Sequence, residues 1–170
     1  MGSALKIIVA IAATSLMWAC NTDGCVGLRS AIPKADFYSS TTDKAIQLDS
    51  LQITGIEAPG DSILMSAGTN AGSVYLPFRS QQDATSWCLS YKWADTDTPL
   101  LNDTVTFHYS TTPYFESAEC GAMFRYTIQD VEYTTHLLDS VTVIDPVITN
   151  ADTSQIRFYF RTQEEEGDMQ

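Results

Sequence analysis

Downstream of Asp36 the apolar residues recur with a period of two. Val105, Phe107 and Tyr109 alternate with Thr104, Thr106 and His108. Successive side chains of an extended chain point to opposite faces, so this pattern predicts a strand with one buried face. Phe124, Tyr126 and Ile128 alternate in the same way with Arg125, Thr127 and Gln129, and Ile156, Phe158 and Phe160 with Arg157, Tyr159 and Arg161. Less regular strands are predicted near residues 35–39, 45–56, 62–66, 74–78, 85–93 and 138–144. Turn residues separate them at Pro59-Gly60-Asp61, in 68–72 and 95–99, at Pro113 and at Asp145-Pro146. No amphipathic helical stretch longer than about ten residues stands beside them. About eight or nine short strands divided by turns predict an all-β fold, an antiparallel β-sandwich of Ig-like or jelly-roll-like type, with a small β-barrel as the alternative. There is no internal repeat and no sign of a second domain.

The N-terminus follows a different rule. Residues 7–19 read IIVAIAATSLMWA, an apolar run preceded by Lys6, which is the layout of a secretory signal. It is too short to span a bilayer, which takes roughly 20 apolar residues. The run ends Leu16-Met17-Trp18-Ala19-Cys20, which resembles the lipobox of bacterial lipoproteins: an apolar residue, a small residue, then the cysteine that takes a diacylglyceryl thioether. Trp18 stands where a small residue is usual, a looseness familiar in Bacteroidota-type lipoboxes. The resemblance implies a signal peptide over 1–19 and lipidation at Cys20. Several acyl chains, at about 0.8 kcal/mol per buried CH₂, then make a stable membrane anchor where a single chain is marginal. Residues 20–34 are expected to form the lipidated N-terminus and tether, 35–162 the sandwich, and 163–170 an acidic disordered tail.

Length and charge narrow the function classes. The chain has 170 residues, a length typical of one domain with a real core once the signal is removed. Its formal net charge of −12, from 9 Lys and Arg against 21 Asp and Glu, argues against nucleic acid, whose phosphates need clustered cations. The acidity instead keeps a tethered domain soluble and away from an anionic membrane surface.

Several stretches resemble a family of small Bacteroidota lipoproteins known only as domain of unknown function 6452. They are Cys20 followed by Cys25, Leu48-Asp49-Ser50-Leu51 leading to Gly55, Leu76-Pro77-Phe78, Glu119-Cys120-Gly121, and Thr135-His136 with Asp139-Ser140-Val141. The resemblance implies an envelope lipoprotein with no assigned activity and carries over no catalytic residue. The expected location is the outer membrane, on its periplasmic face, because Asn21-Thr22-Asp23 is only a thin version of the acidic run that sends such lipoproteins to the surface.

Reactive constellations are sparse. Neither His108 nor His136 belongs to an H-E-x-x-H or other closely spaced ligand group. His108 falls on the threonine-bearing face of its strand, and His136 is placed to orient a turn through Asp139 or a backbone carbonyl. No G-x-S-x-G elbow is present. Asp95 and Asp97, with Asp103 beyond, have the oxygen-rich look of a calcium loop but lack the Gly and terminal Glu of an EF-hand, and turn-capping explains them more simply. Among the aromatics, Trp87, Tyr91 and Trp93 share one strand face and are expected in the core, whereas Tyr114 and Phe115, beside the expected turn at Pro113, are the candidates for an exposed ligand-binding patch. No catalytic residue, metal or cofactor is expected. The reading is a non-catalytic, lipid-anchored binding or scaffolding module for another envelope protein such as an outer-membrane barrel. A carbohydrate-binding accessory is the alternative, and a hydrolase using Glu116 and Glu119 a third possibility that depends on their separation in space.

With Cys20 lipidated, Cys25, Cys88 and Cys120 remain, so an exported chain holds at most one internal disulfide, or three free thiols. Cys25 and Cys120 lie in irregular segments and belong to the family-like pattern, so they are the expected pair. Cys88 sits in SWCLSY on the face opposite Trp87, Leu89 and Tyr91 and is expected to pack there. A bridge from Cys25 to Cys120 closes a loop of about 95 residues and would stabilise by roughly 4 to 5 kcal/mol in the chain-entropy account. Cys25→Ser and Cys120→Ser should therefore lower the melting temperature equally, with little further loss in the double variant. Non-reducing peptide mapping that links Cys88 to either partner would refute the pairing.

Overall fold

The computed structural model describes residues 31–60, 62–93, 96–97, 101–117 and 121–162. Alternation in the sequence becomes alternation of burial. In strand β1 (Lys34–Ser39) Ala35, Phe37 and Ser39 are buried while Lys34, Asp36 and Tyr38 are half-exposed. Ten further strands follow among the described residues: β2 (Leu51–Gly55), β3 (Ile63–Met65), β4 (Ser73–Tyr75), β5 (Ala84–Trp93), β6 (Thr96–Asp97), β7 (Asp103–Ser117), β8 (Gly121–Tyr133), β9 (Leu138–Val143), β10 (Val147–Ile148) and β11 (Ile156–Phe160). The two strands beyond the sequence expectation are β6 and β10. Each has two residues, too few to show a period.

The strands form a four-stranded sheet, β4-β1-β11-β9, and a larger sheet ordered β10-β8-β7-β5-β2-β3, with β6 hydrogen-bonded to β5. The inward residues of both build one core. Phe37, Phe158 and Phe160 from the smaller sheet lie with Leu51, Ile53, Leu89, Val105 and Phe107 from the larger one. Tyr91 and Phe160 meet edge to face across the interlayer space at 6.4 Å. Phe78, in the link from β4 to β5, stacks on Tyr109 at 4.3 Å. The sheets do not close on each other, so the molecule is a β-sandwich and not the alternative barrel.

Two local expectations are corrected. The sandwich is not wholly antiparallel: β1 and β11 run parallel, with Phe37 opposite Phe158. Alternation sets which side chains face inward, but it carries no information on strand direction. At the head of this parallel pair sits Gln155, buried at 2% exposure, which accepts from Lys34 N at 3.0 Å and donates to Thr153 Oγ1 at 3.0 Å. Secondly, Pro113 lies inside β7, opposite Phe124, and marks no turn. Tyr109 N donates to Asp83 O and Thr104 O accepts from Thr134 N. Odd positions of β7 therefore turn their backbone groups towards β5 and even positions towards β8. Pro113 is odd, and β5 has ended before it, so no ladder donor is lost.

Gln155→Met keeps the side-chain volume but leaves the Lys34 N–H, in a part-buried bond, without its acceptor. It should cost about 1–3 kcal/mol, read as a lower urea midpoint at unchanged m-value.

Candidate functional site

An open concavity lies where the larger sheet loses a strand. The last rung between β5 and β7 is the bond from Tyr109 N to Asp83 O at 2.8 Å, while β7 continues to Ser117 paired only with β8 among the described residues. At this notch an open cleft of about 980 Å³ is bordered by Glu57, Arg79, Gln81, Asp83, Thr111 and Gln129. Its base is rigid. The Tyr109 hydroxyl lies 2.9 Å from Arg79 N, 3.0 Å from Arg79 O and 2.7 Å from Thr85 Oγ1, pinning the link into β5 onto the core.

The charges of the cleft are unequally committed. The Arg79 guanidinium donates to Ile56 O at 2.6 Å and to Gln82 Oε1 at 3.1 Å, so it braces the wall. Glu57 and Asp83 have no cationic partner among the described residues. Thr111 Oγ1 is buried without a hydrogen-bond partner. Two backbone irregularities shape the rim. Glu57 adopts φ 54°, a region that side-chain-bearing residues enter at a cost. Gln129 is the extra residue of a β-bulge, since His108 faces Asp130 and Tyr109 faces Ile128. Bulges of this kind re-aim side chains at strand edges.

Past the cleft, β7 and β8 continue as a two-stranded ribbon. Cross-strand pairing places Pro113, Phe115, Ala122 and Phe124 on one face, and Tyr114, Met123 and Arg125 on the other. Phe115 is 69% exposed and Phe124 37%. Tyr114 is half-buried, with the Arg125 guanidinium 4.1 Å over its ring and its hydroxyl 3.5 Å from Met123 Sδ. The two residues singled out from the sequence thus stand on opposite faces. The cleft residues Glu57, Arg79, Asp83 and Gln129 were not singled out. The only local signal is the polar run Ser80-Gln81-Gln82-Asp83 between two strands.

About 27 Å back along β7 from Thr111, Asp103 presents the opposite situation. Its side chain is fully buried. Oδ1 accepts from Thr134 Oγ1 at 2.8 Å and His136 N at 2.7 Å, with His136 Nδ1 at 3.1 Å. Oδ2 accepts from Tyr91 OH at 3.0 Å, Leu137 N at 2.9 Å and Leu138 N at 2.8 Å. Burial by itself would raise the Asp103 pKa, but the backbone donors of Leu138, His136 and Leu137, with the Thr134 hydroxyl, outweigh it and hold the carboxyl below its ordinary value. The Tyr91 phenol is pushed up by burial and by the adjacent carboxylate. Asp103 therefore has no oxygen left for a cation, which removes it from the calcium loop considered above. Asp95 lies outside the described residues, as does the side chain of Asp97. His136 is oriented by Asp103 and not by Asp139, which instead accepts from Arg161 Nε at 3.2 Å. Arg161 Nη1 also reaches Thr135 O at 2.7 Å and His136 O at 2.8 Å.

Of the remaining candidates, Trp87 and Tyr91 are buried as expected, and the Trp93 side chain lies outside the described residues. Cys88 is a half-buried free thiol 3.6 Å from Ser90 Oγ. His108 Nε2 lies 3.6 Å from Glu132 Oε1 across the ladder. Cys20, Cys25, Cys120 and Glu119, with the side chain of Glu116, lie outside the described residues. Among the described residues no group of three His, Cys, Asp or Glu could hold a metal ion, and no helix is long and apolar enough to cross a membrane.

Two packed sheets with a cleft beside an open strand edge define a β-sandwich domain. The model of a family of unknown function, DUF6452, matches residues 50–160, well over half of the chain, and the protein belongs to that family. No curated protein and no solved structure is detectably similar to it.

Because Asp103 is held ionised by folding, its contribution to stability is complete above the unfolded carboxyl value of about 3.9. It is lost as the pH falls through the lower folded value. Asp103→Asn removes the charge from donors that stay buried, and at pH 7 should cost on the order of 3 kcal/mol or more, roughly 10 °C in melting temperature. Melting curves at pH 7 and pH 3 should show the gap between wild type and variant shrinking in acid. An equal gap at both values would contradict the role assigned to the carboxylate.

Proposed function

We propose that this protein is a lipid-anchored, non-catalytic binding module of a bacterial envelope. In this reading acyl chains on Cys20 hold it to the outer membrane, on the periplasmic face, and the sandwich is offered to another envelope protein, such as an outer-membrane barrel. The observation that carries the reading is the cleft at the β5–β7 notch. There, unpaired hydrogen-bonding groups adjoin an exposed apolar ribbon face, which is a surface suited to recognition. Two groups suited to proton transfer are committed away from the cleft: Asp103 to its donors and His136 to Asp103. The anchor is supported by the apolar run over 7–19 ending in Ala19-Cys20 and by β1 starting fourteen positions later at Lys34. The resemblance to small Bacteroidota lipoproteins supports the envelope location. A carbohydrate-binding role has less support, because Tyr114 and Phe115 share no face and form no common platform.

Metabolic labelling with a palmitate analogue, followed by membrane fractionation, should mark the wild type in the outer-membrane fraction. The label should disappear in Cys20→Ala; a variant that remains labelled would reject Cys20 as the anchor.

A further inference from the structure

We propose that the free edge of β7 beside the cleft takes up an extended segment of a partner polypeptide as an added strand. The segment carries apolar side chains at alternate positions and a Lys or Arg where it reaches Glu57 and Asp83. This deepens the binding role proposed above and names its ligand class.

Among the described residues the edge is unpaired, yet it is already in strand geometry. From Thr111 onward the odd positions of β7 point their backbone groups away from β8, and no described strand lies on that side. Thr111 and Phe115 each offer an N–H and a C=O, and Pro113 offers a C=O alone. Because β8 holds this stretch extended, an incoming segment pays no ordering cost for its template, which is the basis of strand addition. Pro113 shortens the ladder by one donor, a common guard against indiscriminate edge pairing. It leaves the groups on either side of it available.

Side chains and charge define the occupant. An added strand alternates its faces, so every second residue would lie beside Pro113 and Phe115, where 69% of Phe115 is exposed. Apolar residues there would cover a face that water now wets. At the Thr111 end the segment enters the cleft, where Glu57 and Asp83 have no cation among the described residues and Arg79 is held by Ile56 O and Gln82. A basic side chain complements those carboxylates, whereas an acidic one meets repulsion from them and from a chain of net charge −12. The partnerless Thr111 Oγ1 lies at the point of entry.

The test is selection of phage-displayed random decapeptides on the detergent-purified full-length protein, followed by anisotropy titration of the synthetic winners. The expected winners alternate apolar residues and carry Lys or Arg near one end. N-methylating alternate backbone nitrogens of a winner should weaken binding about tenfold or more, the equivalent of one or two lost hydrogen bonds. Thr111→Pro removes an edge N–H at a position equivalent to Pro113 and should weaken binding similarly, and Glu57→Gln with Asp83→Asn should weaken only the basic winners. Melting temperatures of the variants check that they fold, and the N-methylated peptides need no variant at all. No winner above background, or affinity indifferent to N-methylation, overturns the proposal. So does a concentration-dependent dimer that Thr111→Pro abolishes, which would assign the edge to a second copy, or binding of neutral oligosaccharides in place of peptides. None of these results depends on the labelling of Cys20, so failure of the anchor and failure of the edge are separable.

Discussion

The buried carboxylate of Asp103 is the contact on which the rest of the architecture depends. After β8 the chain leaves the larger sheet and enters the smaller one at β9, and the crossing segment presents three consecutive N–H groups, of His136, Leu137 and Leu138, to the interior. Unpaired, each would carry a desolvation penalty of about 1–3 kcal/mol. Asp103 accepts all three and also binds Thr134 from the same segment and Tyr91 from β5. Arg161, just past β11, takes the outward carbonyls of Thr135 and His136. An anion on the inside and a cation on the outside thus hold one short crossing, and with it the registry of the two sheets. Charge-assisted bonds are the strong class of hydrogen bond, and a buried charge is tolerable only when so fully paired.

The same strand begins in this saturated network and runs into an unsaturated one. At Asp103 both carboxylate oxygens are fully engaged. Among the described residues, the strand at Thr111 has lost its neighbour, Thr111 Oγ1 has no partner, and Glu57 and Asp83 have no cations. The contrast separates scaffold from site. The closed end and the aromatic core between the sheets resist deformation, while the open end keeps groups whose hydrogen bonds a ligand can complete. Tyr109 joins the two, since its ring stacks on Phe78 in the core and its hydroxyl fixes Arg79 at the cleft. The cleft is therefore preorganised, which reduces the entropy lost on binding.

Two backbone irregularities shape this open end. The bulge at Gln129 shifts the β7–β8 register by one residue just where β5 stops, and Glu57 turns back with a positive φ on the facing wall. A regular ladder at this point would have continued flat. The bulge increases local twist and lets the ribbon leave the body of the sandwich.

The sequence by itself determined what depends on near neighbours. Alternation at positions i and i+2 marked β7, β8 and β11 and placed Val105, Phe107, Ile156 and Phe158 in the core, and the absence of helical periodicity made the protein all-β. The apolar run before Cys20 and the net charge of −12 likewise needed no structure to be seen. Tertiary structure alone decided the rest, because the deciding contacts join residues far apart in the chain. The parallel seam rests on Lys34 and Gln155, 121 positions apart. Asp103 looked like one more turn aspartate until donors 31 to 35 residues away closed around it. The cleft exists because β5 ends before β7 does, and Pro113 reads as a turn until pairing shows that its missing N–H points off the sheet. Local pattern fixes which face a residue takes. Which strand lies beside it, and in which direction, is settled only when distant segments compete for the same edge and the same core volume.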